Sequence, residues 1–234
     1  MMLALNAISA GYGRGQVLFD VSVSLAAGEV VVLLGRNGAG KTTTLKSAIG
    51  IVPLTSGDIE FENVSITRLP THMRVQRGLA YVPEDRRIFT DLTVAENLAV
   101  GVQNAREGAS NWTLERVLDL FPKLKEMLAR PGGQMSGGEQ QMLTIARSLL
   151  GNPRVILLDE PSEGLAPIIV ERIAEALLAL KREGIAILLS EQNYHFAQIV
   201  SDRAYVLELG HVRFSGSMVA LRADDSIRER YLSV

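Results

Sequence analysis

One short stretch of the sequence, "GRNGAGKT" at positions 35–42, combines glycines, a lysine and a hydroxyl at a spacing that suits phosphate binding. It fits the pattern G-x-x-x-x-G-K-[ST], and it follows an apolar β-branched run and precedes a helix-forming one. Glycines let the backbone curl so that successive N–H groups converge on phosphate oxygens at a helix N-terminus. Lys41 would reach the β- and γ-phosphates of a nucleotide, and the Thr42 hydroxyl would ligate Mg²⁺. The alternative is a glycine-rich turn that binds nothing. The residues assigned to this phosphate cradle are Gly35, Asn37, Gly38, Ala39, Gly40, Lys41, Thr42 and Thr43.

A second stretch, "VILLDEP" at positions 155–161, places two adjacent carboxylates after a continuous apolar run. Such a strand delivers its last residues to the carboxyl edge of a parallel sheet, where the ligands of α/β proteins bind. Asp159 would hold Mg²⁺ through water, which leaves Glu160 to orient and polarise the water that attacks the γ-phosphate. Taken alone, the pair could also be a solvated strand end.

The third stretch is "QMSGGEQQ" at positions 134–141. Ser136 and Glu139 have the spacing of a capping box that starts a helix running through Leu150. Gly137 and Gly138 would expose backbone N–H groups at the positive end of that helix, which is a further anion site. A well-capped helix without a ligand is the alternative interpretation.

The composition limits what else this chain can be. Of its 234 residues 47% are hydrophobic, which is enough for a sizeable core, and its net charge of −2 provides no field for holding nucleic acid. The absence of cysteine excludes disulfides and thiolate catalysis. No signal peptide is predicted, and the longest apolar runs fall short of the roughly 20 residues that cross a bilayer. Any role at a membrane is therefore expected to depend on a partner.

The elements that must position these motifs alternate between strands and helices. Apolar residues alternate in "VLFDVSVSL", which predicts a half-buried strand, whereas "GEVVVLLG" predicts a strand covered on both faces. Buried strands followed by helices predict an α/β fold: a P-loop NTPase core with a mainly parallel sheet and an N-terminal antiparallel β region. The helical block at 84–153 interrupts this alternation and is predicted to be an inserted helical subdomain. The expected organisation is one domain, 1–234, whose core comprises 1–83 and 154–234.

The cradle, "LLDE" and "SGGEQQ" together strongly resemble the motifs of the ATP-binding cassette ATPases, and the resemblance covers nearly the whole chain. It implies that Ser136, Gly137 and Gly138 bind the γ-phosphate of ATP held by an opposite subunit, so that two cassettes enclose two ATP molecules. It also implies that Tyr12 stacks on the adenine; a packed turn tyrosine is the alternative. Val17 is assigned to the same nucleotide site.

Several residues depart from the general cassette pattern. Glu84 stands where most cassettes carry Gln; it would offer a carboxylate oxygen to Mg²⁺ but lacks the amide donor. Ala166 stands where many cassettes carry an Asp that contacts the other subunit. Many cassettes place a γ-phosphate-binding His after the strand "AILLS", and the family's usual spacing assigns that place to Gln192 rather than to His195. Because Gln192 does not ionise near neutral pH, water activation is left to Glu160.

Three further stretches resemble the ATP-binding subunits of branched-chain amino-acid importers: "YVPEDRRIFTDLTVAENL", "SEGLAPIIVERI" and "SEQNYHF". The resemblance implies an ATPase that uses ATP and Mg²⁺ at the cytoplasmic face of the plasma membrane. Its implied partners are transmembrane permease subunits, a second cassette (a different chain, or a second copy) and, indirectly, an external solute-binding protein. A urea, amide or other polar amino-acid importer and an ATP-dependent regulator are the alternatives. A P-loop kinase or GTPase would leave "SGGEQQ" and Tyr12 unexplained.

Overall fold

The computed structural model describes residues 1–104 and 111–232. Its strands are β1 (Leu3–Tyr12), β2 (Gly15–Leu25), β3 (Val30–Leu34), β4 (Leu54–Phe61), β5 (Val64–Ser65), β6 (Leu79–Val82), β7 (Val155–Asp159), β8 (Ala186–Glu191), β9 (Arg203–Glu208) and β10 (His211–Ser217). Its α-helices are α1 (Lys41–Ile49), α2 (Thr71–Gln76), α3 (Val94–Gly101), α4 (Leu114–Leu120), α5 (Pro122–Lys125), α6 (Gly137–Leu149), α7 (Pro167–Arg182), α8 (Tyr194–Val200), α9 (Met218–Ala223) and α10 (Asp225–Ile227). A 3₁₀ turn spans Gly132–Gln134 and a π-helical turn spans Arg228–Leu232.

The strands of the described residues form two sheets. One has the order β2-β1-β4-β5 and is antiparallel. The other has the order β10-β9-β3-β8-β7-β6, and all of its neighbours run parallel except β10 with β9. Strands β3, β8 and β7 are neighbours in this sheet and run parallel. The phosphate loop after β3, Glu160 after β7 and Gln192 after β8 therefore leave from the same carboxyl edge.

The parallel sheet is covered on both faces, so every residue of its central strands β3, β7 and β8 is buried. All five residues of β3 are buried: Val30, Val32 and Leu34 pack in one core with α6, α7 and α8, whereas Val31 and Leu33 pack in a second core with α1 and the antiparallel sheet. Side chains of a strand alternate between faces, so a strand with helices on one face and another layer on the other must be apolar throughout. The central sheet is thereby a rigid platform for the loops at its edge.

The described residues between β6 and β7 are mainly helical. Helix α3 packs on α6, which contacts β6. Capping boxes start both helices: Thr93 with Glu96 for α3, and Ser136 with Glu139 for α6. None of the helices in the described parts of the chain combines the length and the apolar character that crossing a bilayer requires.

The predicted fold class is confirmed by this architecture. Val21, Val23 and Leu25 are buried along β2, as their alternation predicts. The short helix α2 was not predicted from the sequence, since it has no side-chain cap and buries only Arg74. "NWTLERVLDLF" forms a shorter helix than expected, because α4 starts after its Thr113 cap and ends before Pro122.

Candidate active site

The loop between β3 and α1 has a backbone that only glycine adopts without strain. Gly35 has φ 153° and Gly40 has φ 105°. A Cβ at Gly35 would lie 2.4 Å from the carbonyl oxygen of Leu207, and one at Gly40 would lie 2.8 Å from Leu18 Cδ2. The loop therefore packs against the end of β9 and against β2, and α1 begins at Lys41 with its first N–H groups free of helical partners.

A cavity of about 150 Å³ lies at the start of α1. The lining residues come from the loop, from β2 and from the segments that follow β6 and β7: Val17, Asn37, Gly38, Ala39, Gly40, Lys41, Thr42, Thr43, Glu84 and Glu160. The structure thus brings most of the predicted cradle together with two acidic residues that are far away in sequence.

Lys41 is the cation of this cavity. Its side chain is 3% exposed, and its Nζ donates to the carbonyl oxygens of Gly35 (2.8 Å) and Arg36 (3.2 Å). The same Nζ lies 3.1 Å from Glu160 Oε1. A phosphate group bound by this ammonium would consequently lie beside the Glu160 carboxylate.

Both carboxylate oxygens of Asp159, the last residue of β7, accept hydrogen bonds. Oδ1 accepts from Thr42 Oγ1 at 2.9 Å and from Ser190 Oγ at 2.6 Å, and Oδ2 accepts from the Tyr81 hydroxyl at 2.8 Å. Burial and the negative charge of Asp159 raise the pKa of Tyr81, so this phenol stays a donor at neutral pH. Donors from α1, β6 and β8 therefore hold Asp159 in one orientation.

Glu160 sits at a sharp turn out of β7. Its φ is 45°, a left-handed conformation that a non-glycine residue adopts at a cost of about 1 kcal/mol or more. Its backbone N–H donates to both the carbonyl oxygen and Oγ of Ser190, each at 3.1 Å, which holds this turn. The turn sends the side chain into the cavity, where it is only 8% exposed and meets Lys41.

Gln192 completes this group. Its Nε2 donates to Glu160 Oε2 at 2.6 Å and to Asn37 Oδ1 at 2.7 Å. His195 lies in α8, is exposed, and lines a separate groove of about 600 Å³ between α7 and α8. Of the two residues that the sequence offers after β8, Gln192 is the one beside the predicted catalytic carboxylate.

Further carboxylates surround the mouth of the cavity. Glu84 lines it, and the backbone N–H of Glu163 donates to the Glu160 carbonyl oxygen at 3.2 Å. Burial, followed by the charges of Glu160 and Glu84, raises the pKa of Glu163. In ranges 1–104 and 111–232, no three His, Cys, Asp or Glu side chains form a metal-binding group. The Thr42 and Asp159 oxygens nevertheless suit Mg²⁺, which usually takes one or two protein ligands together with phosphate oxygens and waters.

A further buried carboxylate, Glu191, was not predicted from the sequence. It is 2% exposed, and burial raises its pKa to about 7 although it accepts several N–H bonds. Tyr81 and Ser190, which bind Asp159, were missed as well. The only sequence signal for these residues is that each lies at or near the end of a predicted strand.

The segment with Ser136, Gly137 and Gly138 lies at the start of α6 and does not line the phosphate cavity of its own chain. The Ser136 N–H donates to Glu139 Oε2 at 2.8 Å, which lowers the pKa of Glu139. Ser136 is exposed, and the Arg86 guanidinium packs against Gly137. Gly137 is half-buried and Gly138 is buried, so Ser136 is the exposed residue among these three.

Tyr12 and Val17 belong to the hairpin of β1 and β2. Val17 lines the cavity, whereas Tyr12 is 54% exposed and does not. Ala166 precedes α7 and is exposed. The hairpin therefore brings one predicted nucleotide-binding residue to the phosphate cavity and leaves an exposed aromatic ring at its tip.

The arrangement suits the transfer of a phosphoryl group to water. A lysine and helix N–H groups can hold phosphates, a hydroxyl and a carboxylate can hold a divalent cation, and a second carboxylate bound to Gln192 can take the proton of a water molecule.

Comparisons with known proteins agree with this chemistry. A family model described as "ABC transporter" matches residues 18–163. The chain is 45% identical over 231 residues to the high-affinity branched-chain amino acid transport ATP-binding protein BraG of Pseudomonas aeruginosa, with 99% of each chain covered. It is 36% identical over 233 residues to the lipopolysaccharide export system ATP-binding protein LptB of Escherichia coli, which covers 99% of this chain and 96% of that protein. A solved nucleotide-free ATP-binding cassette from an ABC transporter matches with a TM-score of 0.85 at 26% identity, over 100% of this chain and 98% of that one.

Proposed function

This chain belongs to the ABC transporter family and is an ATP-hydrolysing subunit of it, and from that premise we propose that it energises the uptake of branched-chain amino acids. Subunits of this family work with transmembrane permease components and dimerise. The identity to BraG supports the choice of substrate, since it exceeds the identity to the export protein LptB over a similar length.

The contacts of Glu160 are the observation that supports hydrolysis most directly. Its two carboxylate oxygens lie 3.1 Å from Lys41 Nζ and 2.6 Å from Gln192 Nε2. Lys41 and the loop 35–43 bind the β- and γ-phosphates, and Glu160 orients the attacking water on the far side of the γ-phosphate. Tyr12 and Val17 contact the base and sugar side of the nucleotide.

In the proposed reaction Glu160 accepts a proton from water as the water oxygen bonds to the γ-phosphorus. The bond from this phosphorus to the bridging oxygen breaks, and ADP leaves with the electron pair. Gln192 keeps Glu160 oriented with one amide hydrogen, and its second amide hydrogen, which binds Asn37 in the structure, turns to the γ-phosphate when ATP is bound. Neither bond changes the protonation state of Gln192. Lys41 offsets the negative charge that spreads over the phosphoryl oxygens.

Thr42, Asp159 and Glu84 are the proposed protein ligands toward Mg²⁺. When bound, the ion neutralises charge on the β- and γ-phosphates. Thr42 Oγ1 and Asp159 Oδ1 lie 2.9 Å apart, so one ion could reach both oxygens directly or through water.

The proposed working unit is a pair of cassettes, formed with a different ATPase chain or with a second copy. Ser136, Gly137 and Gly138 of each chain bind the γ-phosphate held by the other, which agrees with the exposure of Ser136 outside its own cavity. Each chain is proposed to be one domain, with a core of 1–83 and 154–234 and a helical subdomain of 84–153. We place the pair on the cytoplasmic face of the plasma membrane, bound to permease subunits that receive solute from an external binding protein.

Substitution of Glu160 by Gln tests the hydrolytic part of this proposal. The variant should bind ATP, accumulate as a closed dimer and lose hydrolysis by at least about 100-fold, because general-base catalysis contributes roughly that much. ATP-dependent dimerisation is measured by light scattering, and turnover by phosphate release. Glu175→Gln, on an exposed residue of α7, is the matched control. Full hydrolysis by the Glu160 variant would remove Glu160 from this role.

A transport assay tests which substrate the complex takes up. The chain is co-purified with its permease from native membranes and reconstituted in proteoliposomes that contain ATP. Uptake of labelled leucine, isoleucine or valine is expected, and uptake of urea or movement of lipopolysaccharide instead would overturn the assignment. Mass spectrometry of the same complex identifies the second cassette.

A further inference from the structure

Glu191, the last residue of β8, connects two loops of the active site. Its Oε1 accepts from the backbone N–H of Ser162 at 3.1 Å, in the segment that follows β7. Its Oε2 accepts from the N–H groups of Gln192 at 3.2 Å and Asn193 at 3.1 Å, in the segment that follows β8. One side chain therefore ties the two loops to each other through their backbones.

The neighbours of Glu191 hold other parts of the same two segments. Ser190 Oγ binds Asp159 and the N–H of Glu160, and Gln192 binds the Glu160 side chain. Three consecutive residues, Ser190, Glu191 and Gln192, thus all bind the segment from Asp159 to Ser162. Glu191 binds backbone N–H groups of both loops and does not line the phosphate cavity.

A carboxylate at this place is unusual, because an acidic group that is 2% exposed is costly to bury unless its oxygens are bound. Its two oxygens can accept N–H groups that come from opposite directions, and each oxygen serves a different loop. A hydroxyl or an aliphatic side chain could not span both loops in this way.

We propose that Glu191 is a positioning residue for ATP hydrolysis, which holds the Gln192 backbone and the turn after Glu160 at a fixed separation. Gln192 can then place its amide 2.6 Å from the Glu160 carboxylate. This inference rests on the roles proposed above for Glu160 and Gln192. Glu191 acts through these two segments and does not itself line the phosphate cavity.

The first test is Glu191→Gln, which keeps the size of the side chain but replaces one acceptor oxygen with an NH₂ group that cannot accept. One of the two loops loses its bond. We expect kcat to fall about tenfold, as for the loss of one buried hydrogen bond that positions the site, and KM for ATP to stay within about twofold because the phosphate loop is unchanged. Glu191→Asp retains both acceptors on a shorter stem and should recover part of the rate. Glu175→Gln is the control.

A double-mutant cycle separates positioning from general destabilisation. If Glu191 acts through Gln192, then Glu191→Gln should add little to the loss caused by Gln192→Ala, within about twofold. Multiplicative losses in the double variant would overturn the proposal. So would an unchanged kcat in Glu191→Gln, or a rise in KM equal to the fall in kcat.

Hydrogen exchange followed by mass spectrometry gives a readout that does not depend on activity. At least one of the peptides that contain 160–163 and 191–194 should exchange faster in Glu191→Gln than in the wild type, and peptides of the loop 35–43 should not. Unchanged exchange in both loops would contradict the proposal even if kcat falls. Phosphate release by Glu160→Gln separates failure of this proposal from failure of the proposed function. If that variant still hydrolyses ATP, the proposed catalytic roles fail, whereas the exchange result still reports on the connection between the loops.

Discussion

The bond between Gln192 and Glu160 makes Gln192→Ala a sensitive test of the site. In the structure Gln192 Nε2 donates to Glu160 Oε2 at 2.6 Å and to Asn37 Oδ1 at 2.7 Å. Alanine removes both bonds, and Glu160 keeps Lys41 as its partner on the other oxygen. The carboxylate should therefore stay in the cavity but lose its fixed orientation.

The size of the effect follows from the type of bond that is lost. A hydrogen bond to a charged group contributes about 1.5–3 kcal/mol. If this bond orients Glu160 in the transition state, the loss corresponds to a decrease in kcat of roughly tenfold to hundredfold, at about 1.4 kcal/mol per factor of ten. The affinity for ATP should change less, because most of the phosphate contacts are proposed to come from Lys41 and the loop backbone.

The assay is steady-state phosphate release by the reconstituted transporter, with kcat and KM measured separately. His195→Ala is the control, since His195 is exposed on α8 and lines a different groove. It should leave both constants within about twofold of wild type, as expected for an exposed substitution away from the site. Normal turnover in Gln192→Ala together with a large loss in His195→Ala would refute the assignment of Gln192.

Three further changes are predicted from the same geometry. Glu84→Ala should raise the Mg²⁺ concentration needed for half-maximal turnover, because Glu84 lines the phosphate cavity; an unchanged Mg²⁺ dependence would exclude it as a ligand. Tyr81→Phe removes the 2.8 Å bond to Asp159 and should weaken Mn²⁺ binding to the ATP complex, followed by electron paramagnetic resonance, by about tenfold; equal binding would show that Tyr81 does not orient Asp159. Glu191 has its pKa raised from 4.5 to about 7 by burial, so the folded protein binds this proton more tightly than the unfolded chain does. The stability that protonated Glu191 contributes is therefore complete below pH about 4.5 and is lost as the pH rises through about 7, by roughly 3 kcal/mol at most. Urea unfolding of wild type and Glu191→Gln across this pH range measures this change in the free energy of unfolding. A difference in unfolding free energy that stays constant with pH would contradict the raised pKa.

The prediction of the fold rested on patterns that are local in the chain. The continuous apolar run of β3 predicts a strand covered on both faces, and all five of its residues are buried. The capping box of Ser136 and Glu139 starts α6 one residue later, as its spacing indicates. The short helix α2 carries no comparable signal and was missed.

The candidate site was only partly predictable. The phosphate loop, Asp159 and Glu160 follow from motifs of eight residues or fewer. In the structure residues of the loop and Glu160 line one cavity, and Asp159 accepts a hydrogen bond from Thr42 beside it. The sequence assigns the γ-phosphate position to Gln192 rather than to His195 only through the spacing of the family. In the structure Gln192 binds the Glu160 side chain, whereas His195 lines a separate groove. Their roles in turnover stay predictions until the variants are measured.

What the sequence alone determined are features set within one turn or one strand: the positive φ angles that the glycines permit, the capping boxes and the burial pattern of the central strands. Tertiary structure decided which side chains surround the carboxylates. Tyr81 reaches Asp159 across 78 residues, and Glu191 reaches Ser162 across 29, because the sheet order places β6, β7 and β8 side by side. A hydrogen bond forms only within about 3 Å, and the parallel register of separate strands, not their order along the chain, sets that distance.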